Sequence, residues 1–250
     1  MDTRRNDSTI LYIIRFIAFV LMFIFLGSSI GAFWRYLGKS IGSALEIDAS
    51  LKKGCTVIID AGHGGEDGGA TALSPVPEKD LNLDIAKTLY EMLGMCGVDV
   101  IMTRNDDVSL SCNEGSTRKG RDLAARRIIA ENTENAVFVS IHMNSFAIEK
   151  YSGLQVYYSP NNAQSKALAD TVQSYVKSTL QSDNQRKTKS GGDIYLLEKL
   201  SCPTILVECG FLSNAEESAL LNDANYRRRL ALVLCAAIYD FARISSENAH

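Results

Sequence analysis

The chain has 250 residues, of which 46% are hydrophobic and 22% charged, and this composition excludes a disordered or low-complexity protein. Its net charge of −3 provides no basic field, so the sequence predicts no nucleic-acid partner. The length suits one ordinary domain with short additions.

The first element along the chain is an apolar segment near the N-terminus. Phe16 to Trp34 contains no charged residue over 19 positions, close to the roughly 20 residues of a bilayer-spanning helix. Arg4, Arg5 and Arg15 precede it, so we expect the N-terminus to stay in the cytoplasm and the rest to be exported. A cleaved signal peptide, cut within "GSSIGA", also fits, but the long apolar stretch favours a membrane anchor.

The remaining chain reads as one domain after a short linker. We assign residues 1–36 to the membrane segment, 37–54 to a mixed linker, 55–244 to the domain and 245–250 to a tail. Within the domain, predicted strands alternate with helical patterns such as Leu81, Ile85, Leu89 and Leu93, which recur every four residues.

Six segments are predicted as strands, some of them, such as "AVFVSI" and "TILVE", apolar on consecutive positions as in strands covered on both faces. They are Thr56–Asp60, Val98–Thr103, Ala136–Ile141, Leu154–Tyr158, Ile194–Leu197 and Thr204–Glu208. Their alternation with helices predicts an α/β domain, with a twisted, mostly parallel sheet between two helical layers.

Polar residues with metal or acid–base chemistry follow three of these strands. The stretch "VIIDAGHGGEDGGA" carries His63 just after the first strand, "SIHMNS" places His142 after the third, and "LVECGF" places Glu208 at the end of the sixth. Glu78 opens a predicted helix. Since sites in open α/β sheets form beyond the carboxyl ends of strands, we expect these four residues to meet at one edge.

Two histidines and a carboxylate form a common catalytic zinc site, which needs a base to deprotonate water. The only other histidine is His250, the last residue, so a carboxylate must be that base, and Glu208 is the candidate at a strand end. Each residue alone has a simpler interpretation, such as a structural histidine or a helix-start charge. Their joint arrangement favours the metal site.

Two further residues are candidates for substrate contact. Arg104 follows the second strand and Asn144 follows His142. An ion-pair role for Arg104 and a turn-capping role for Asn144 remain alternatives.

Four segments in order resemble the signatures of the zinc-dependent N-acetylmuramoyl-L-alanine amidases: "DAGHGGEDGGA", "EKDLNLDIAKTL", "VFVSIHMNS" and "ILVECGFLSNAEESALLNDANYRRRLA". The resemblance covers nearly all of Cys55 to Phe241. It implies a six-stranded sheet and one Zn²⁺ per chain, held by His63, Glu78 and His142, with Glu208 as catalytic acid/base. The implied reaction cleaves the amide between the lactyl group of N-acetylmuramic acid and L-alanine of the stem peptide.

The chain is similar in particular to the germination-specific amidases of spore-forming bacteria. The helix "RDLAARRIIAEN" looks like theirs, and no long inhibitory insertion stands between "SIHMNS" and "LVECGF". This resemblance implies cortex peptidoglycan as substrate, on the way to muramic-δ-lactam. It also implies an exported protein facing the cell wall, in the intermembrane space of the forespore. Any accessory protein is then expected to support the zinc site.

Two other functions fit parts of the sequence. One is another exported zinc peptidase on a similar sheet, although a two-metal peptidase needs more ligands than two internal histidines readily supply. The other is a non-catalytic peptidoglycan-binding protein, which would have no use for Glu208. Site geometry, more than fold, separates these alternatives.

Overall fold

Six strands and six helices, mostly in alternation, lie along residues 55–71 and 73–247, the part of the chain that this computed structural model describes. The strands are β1 (Thr56–Ala61), β2 (Asp99–Met102), β3 (Ala136–Asn144), β4 (Gln155–Tyr158), β5 (Lys189–Ser190) and β6 (Thr204–Phe211). The helices are α1 (Glu78–Met95), α2 (Arg118–Glu131), α3 (Ala163–Thr179), α4 (Tyr195–Lys199), α5 (Ala215–Asn222) and α6 (Ala224–Glu247). This alternation confirms the predicted α/β class.

The six strands form one sheet in the order β2-β1-β3-β6-β4-β5. All neighbours are parallel except β4, which runs antiparallel to β6. The prediction of a mostly parallel sheet is therefore confirmed. The carboxyl ends of β1, β3 and β6 lie side by side at its centre, which is the edge where the sequence placed the site.

Helices cover both faces of the sheet, and alternate strand residues point to each layer. Val57 and Ile59 of β1 belong to a core cluster with α1, α3 and α6, whereas Ile58 packs with residues of α2 and α4. The four-residue repeat of α1 is the reason it forms, since Leu81 and Leu89 on this stripe are buried. Each fully buried leucine contributes about 1.5–3 kcal/mol.

One predicted strand is wrong. Ile194–Leu197 lies in and beside the short helix α4, and the fifth strand is instead Lys189–Ser190, which pairs with Tyr157 and Tyr158 of β4. The buried residues of this segment, Leu196, Leu197 and Leu200, follow helical spacing. A short apolar run does not separate helix from strand, and the exposed pair Lys189–Ser190 carries no periodic signal.

Three other strands end later than predicted, β1 by one residue and β3 and β6 by three residues each. β3 runs on to Asn144 and β6 to Phe211, so His142 and Glu208 lie within paired strands. Their Cα atoms are direct partners in the parallel β3–β6 ladder. This pairing fixes the two side chains on the same face of the sheet.

The predicted membrane segment, Phe16–Trp34, and the linker lie outside the described residues. Across residues 55–71 and 73–247, no helix combines the length and the hydrophobicity that crossing a bilayer requires.

Candidate metal centre

Three predicted ligands meet beyond the ends of the central strands. His63 follows β1, Glu78 is the first residue of α1, and His142 lies near the end of β3. One donor atom from each lies within 4.8 Å of the other two. Oε1 of Glu78 is 3.2 Å from Nε2 of His63 and 3.0 Å from Nδ1 of His142. A single ion can therefore contact all three side chains.

Glycines allow the loop after β1 to approach these ligands. A Cβ atom added to Gly62 would lie 2.2 Å from Nε2 of His142, and one added to Gly69 would lie 2.5 Å from Oε2 of Glu78. Gly69 also has a φ of +69°, a left-handed conformation that glycine adopts without a steric penalty. Glycine is thus required at these two positions because the side chains of His142 and Glu78 leave no room for a Cβ atom.

Replacing Gly62 with alanine should therefore weaken metal binding by at least about 10-fold, because the new methyl group displaces the His142 ring. Gly68→Ala is the matched control in the same loop, since its Cβ would meet nothing within 4 Å. Competition with a chromophoric chelator measures the two affinities. Equal affinity in both variants would show that the metal does not need His142 in this position.

Two buried arginines hold the main chain of this loop. The Arg104 guanidinium donates to the carbonyls of Ala61 and Gly62, both at 2.9 Å. The Arg126 guanidinium donates to the carbonyls of Ala61 at 2.8 Å and His63 at 2.7 Å. His63 itself adopts an unusual φ of +61°, which costs energy for a residue other than glycine. The two arginines fix this strained turn.

The prediction that Arg104 contacts substrate is corrected by this arrangement. Its side chain is only 3% exposed, and its other bonds go to the carbonyls of Asp106 and Lys79. Four of its five N–H donors are thereby used inside the protein. Arg104 supports the loop that carries His63.

Arg126, which the sequence analysis did not single out, belongs to a buried ion-pair network beneath the site. It pairs with Asp60 at the end of β1 and with Asp122 one turn earlier on α2. Asp60 also accepts hydrogen bonds from Thr103 and Ser140. Although burial raises the pKa of Asp60, the Arg126 charge and these bonds outweigh it and lower the pKa, so the carboxylate stays ionised.

Asp67 is a further site residue that the sequence analysis missed. Its Oδ2 atom lies 2.9 Å from Nδ1 of His63, which leaves Nε2 of the same ring directed at Glu78. A carboxylate on the far nitrogen of a ligating histidine fixes the ring and raises its basicity. The sequence feature that could have identified Asp67 is its position four residues after His63, within the same glycine-rich loop.

The carboxylate of Glu78 is held in its ionised form. Burial raises its pKa, but the hydrogen bonds and charges of His142 and His63 dominate and hold the pKa well below its usual range. The main-chain N–H groups of Ala70 and Met143 also donate to its two oxygens, at 2.7 and 3.0 Å. A carboxylate with such support is a suitable ligand for a divalent cation.

His63 is drawn toward its protonated form by the same partners. Burial lowers its pKa, but the hydrogen bonds and charges of Glu78 and Asp67 more than compensate, and the net pKa is raised. A proton on His63 is therefore stabilised by the same carboxylates that surround the candidate metal position. A cation that binds there competes with this proton, so metal binding should release protons.

Glu208 has the properties of a group that exchanges protons beside this centre. It is the direct Cα partner of His142, and its Oε2 atom is buried with no hydrogen-bond partner among the described residues. Burial raises its pKa to about 7, with Glu78 adding to the rise and His142 opposing it. An unpartnered buried oxygen is costly unless a ligand satisfies it, and a pKa near neutrality suits general acid–base chemistry.

The remaining predicted contact, Asn144, lies two residues beyond His142 at the end of β3. It is partly exposed, and its carbonyl accepts a bond of 2.8 Å from Leu212. A cavity of about 310 Å³ opens beside His63 and His142, with Tyr195 of α4 and Lys119 of α2 on its wall. Substrate contact by Asn144 stays a prediction.

Known proteins are similar to this chain in sequence and in fold. Residues 57–240 match the family described as Amidase_3, N-acetylmuramoyl-L-alanine amidase. The germination-specific N-acetylmuramoyl-L-alanine amidase of Bacillus subtilis is 36% identical over 182 residues, which span 71% of this chain and 76% of that protein.

Two solved structures extend the likeness to three dimensions. The CwlD amidase from Clostridioides difficile, solved in complex with the GerS lipoprotein, is 39% identical with a TM-score of 0.71, covering 76% of this chain and 99% of that one. The amidase AmiC2 of Nostoc punctiforme is 32% identical with a TM-score of 0.66, covering 75% and 96%.

The family match includes nearly all of the sheet, helices of both layers and all four residues of the centre. Its relatives are similar over nearly the same part of the chain, in sequence and in fold. The chain belongs to the N-acetylmuramoyl-L-alanine amidase family.

Proposed function

We propose that the centre binds one Zn²⁺ through His63, Glu78 and His142, and that the chain uses it to hydrolyse peptidoglycan. The observation that supports this most strongly is the set of three donor atoms within 4.8 Å, beside the unpartnered oxygen of Glu208. Two imidazoles and one carboxylate suit zinc and leave a coordination position open for water or substrate. The cleaved bond is the amide between the lactyl group of N-acetylmuramic acid and L-alanine, the reaction of the family.

His63, Glu78 and His142 would hold Zn²⁺, which would supply Lewis acidity at the scissile carbonyl. Glu208, as carboxylate, would take a proton from a water molecule whose oxygen adds to the lactyl carbonyl carbon. As carboxylic acid, it would then deliver that proton to the amine of L-alanine as the C–N bond breaks. Burial raises the pKa of this carboxyl to about 7 without the metal, and a bound cation would lower the pKa from there by favouring the carboxylate. Asp67 orients the His63 ring, and Arg126 and Arg104 hold the turn that carries it.

The test is to digest purified peptidoglycan with the zinc-loaded enzyme and identify the new ends by mass. A new L-alanine amine paired with an intact glycan supports the amidase. A new amine elsewhere in the peptide would support the zinc peptidase, for which metal analysis should also find two ions per chain. Binding to peptidoglycan without any new end would support the non-catalytic alternative.

We further propose that the natural substrate is spore cortex peptidoglycan, where removal of the stem peptide prepares muramic acid for conversion to muramic-δ-lactam. The support is the similarity to the germination-specific amidase of Bacillus subtilis. Spores that lack the enzyme should contain no muramic-δ-lactam. Normal muramic-δ-lactam content in such spores would contradict the cortex proposal and favour vegetative cell-wall peptidoglycan as the substrate.

An accessory protein is part of this proposal. The CwlD amidase of Clostridioides difficile was solved with the GerS lipoprotein, which supports the idea that amidases of this type act with a partner. In this chain we propose that such a partner supports the zinc site. Adding the partner should then raise zinc occupancy of the purified enzyme along with its activity.

Location is proposed to be outside the cytoplasmic membrane, facing the cell wall, with Phe16–Trp34 as the anchor. The full chain should sediment with membranes, whereas a chain starting at Ala49 should remain in the supernatant, folded and able to bind zinc, because the apolar segment is gone. Fractionation followed by immunoblotting measures this. Native protein in the medium, cut near Ala32, would contradict the anchor and support a signal peptide.

A further inference from the structure

Arg186, on the segment between α3 and β5, lies at the same edge of the sheet as the metal centre. Its Nη1 atom donates to Oε1 of Gln155 at 3.0 Å. Gln155 is the direct antiparallel partner of Glu208. Directly opposed residues of antiparallel strands have Cβ atoms about 4.5–5.5 Å apart on one face. One side chain therefore separates the Arg186 guanidinium from the proposed acid/base.

The guanidinium is fixed in place by three contacts. Besides the bond to Gln155, its Nε atom donates to the carbonyl of Ser152 at 2.6 Å. Its central carbon lies 4.4 Å from the centre of the Phe211 ring at the end of β6. A guanidinium over an aromatic face gains cation–π attraction and loses little entropy when it binds a further group. Arg186 is thus preorganised.

One edge of this guanidinium remains available. Arg186 is partly exposed, and its Nη2 atom donates to no residue among 55–71 and 73–247. No carboxylate in this range lies within ion-pair distance of it. Glu217 and Arg186 line one cavity of about 580 Å³, but the two oxygens of Glu217 accept the main-chain N–H groups of Gly153 and Phe211, both at 2.8 Å. Burial raises the pKa of the Glu217 carboxyl and the positive charge of Arg186 opposes this rise, but no carboxylate among the described residues forms an ion pair with the guanidinium.

We propose that Arg186 binds a carboxylate of the stem peptide, on the L-alanine side of the scissile amide. This inference rests on the proposed amidase function. In the substrate, the lactyl carboxyl group is consumed by the amide to be cleaved, and the N-acetylated sugars are neutral, so the carboxylates belong to the peptide. The Nη1–Nη2 edge of arginine matches a carboxylate in a two-bond fork. Arg186 therefore sets both the orientation of the substrate and its charge preference.

The experiment compares two muramoyl peptides that differ in one group. Both carry the scissile amide, and the residue after L-alanine has a free α-carboxylate in one and a primary amide in the other. For the zinc-loaded wild-type enzyme, the amidated substrate should have a KM about tenfold higher or more, because a charge-assisted bond is lost. Arg186→Gln should raise the KM of the acid substrate to that of the amide and leave kcat unchanged.

Controls separate this role from a structural one. Arg228→Gln, on the exposed face of α6, should behave as wild type on both substrates. Arg186→Lys keeps the charge without the fork and should retain part of the preference, which also answers the question if Arg186→Gln fails to fold. Equal KM values for the two substrates in the wild type, or equal losses on both in Arg186→Gln, would overturn the proposal. Failure of the wild type to cleave either substrate would instead overturn the amidase function.

Discussion

The variants His63→Ala, Glu78→Ala and His142→Ala are each expected to lose bound zinc and all detectable hydrolysis. The three donor atoms lie within 4.8 Å of one another, so removing any one leaves an incomplete coordination sphere. The loss of affinity should exceed the about 10- to 100-fold that is typical when only an outer-shell partner is removed. Metal content after dialysis against a chelator, measured beside activity, provides the comparison.

Two further variants provide reference values for the loss of zinc affinity. Asp67→Asn keeps all three ligands but weakens the contact with Nδ1 of His63, so its zinc affinity should fall by about 10- to 100-fold. Glu91→Ala changes an exposed carboxylate on the same helix as Glu78 and should bind zinc as the wild type does. If Glu78→Ala retained full zinc occupancy, Glu78 would be removed from the ligand set.

Much of the fold was predictable because its signals are local. The four-residue repeat of α1 and the consecutive apolar positions of β3 and β6 each follow from the need to bury one stripe or two faces. The strand prediction for the segment around Ile194 was wrong because a helix of five residues has too few turns to show a helical period in the sequence. β5 escaped prediction because two exposed residues pair through their backbones alone.

The sequence was sufficient to place the site residues that lie at or just after the ends of strands. Parallel strands bring their carboxyl ends to one edge, so His63, His142 and Glu208 could be placed together from topology. The residues that hold the His63 turn could not be predicted. Arg126, for example, donates a hydrogen bond to the His63 carbonyl, and these two residues are 63 positions apart in the sequence. Whether Arg104 turned toward substrate or toward the loop depended on the same unseen packing.

The pH dependence of the reaction should reveal Glu208 as the base. Burial raises its pKa to about 7, and a nearby dication lowers it again by favouring the carboxylate. Since the carboxylate is the form that accepts a proton, the rate should fall as the pH drops through this pKa, with the acid limb at or below pH 7. A profile of kcat against pH at constant zinc occupancy tests this.

Glu208→Gln is expected to keep the fold and the zinc but to lose turnover by about 10²- to 10⁴-fold, because an amide cannot take a proton from water at neutral pH. The side chains are nearly equal in size, and the Oε2 atom of Glu208 makes no bond within the described residues, so little stability depends on it. Thermal unfolding, zinc content and kcat should be measured on this variant beside Glu198→Gln, an exposed carboxylate on α4. Unchanged zinc with lost turnover separates the acid/base from the ligands, whose variants lose both. Near-normal turnover in Glu208→Gln would mean that another group moves the proton, and the residue that pairs with His142 across the β3–β6 ladder would then have no chemical role.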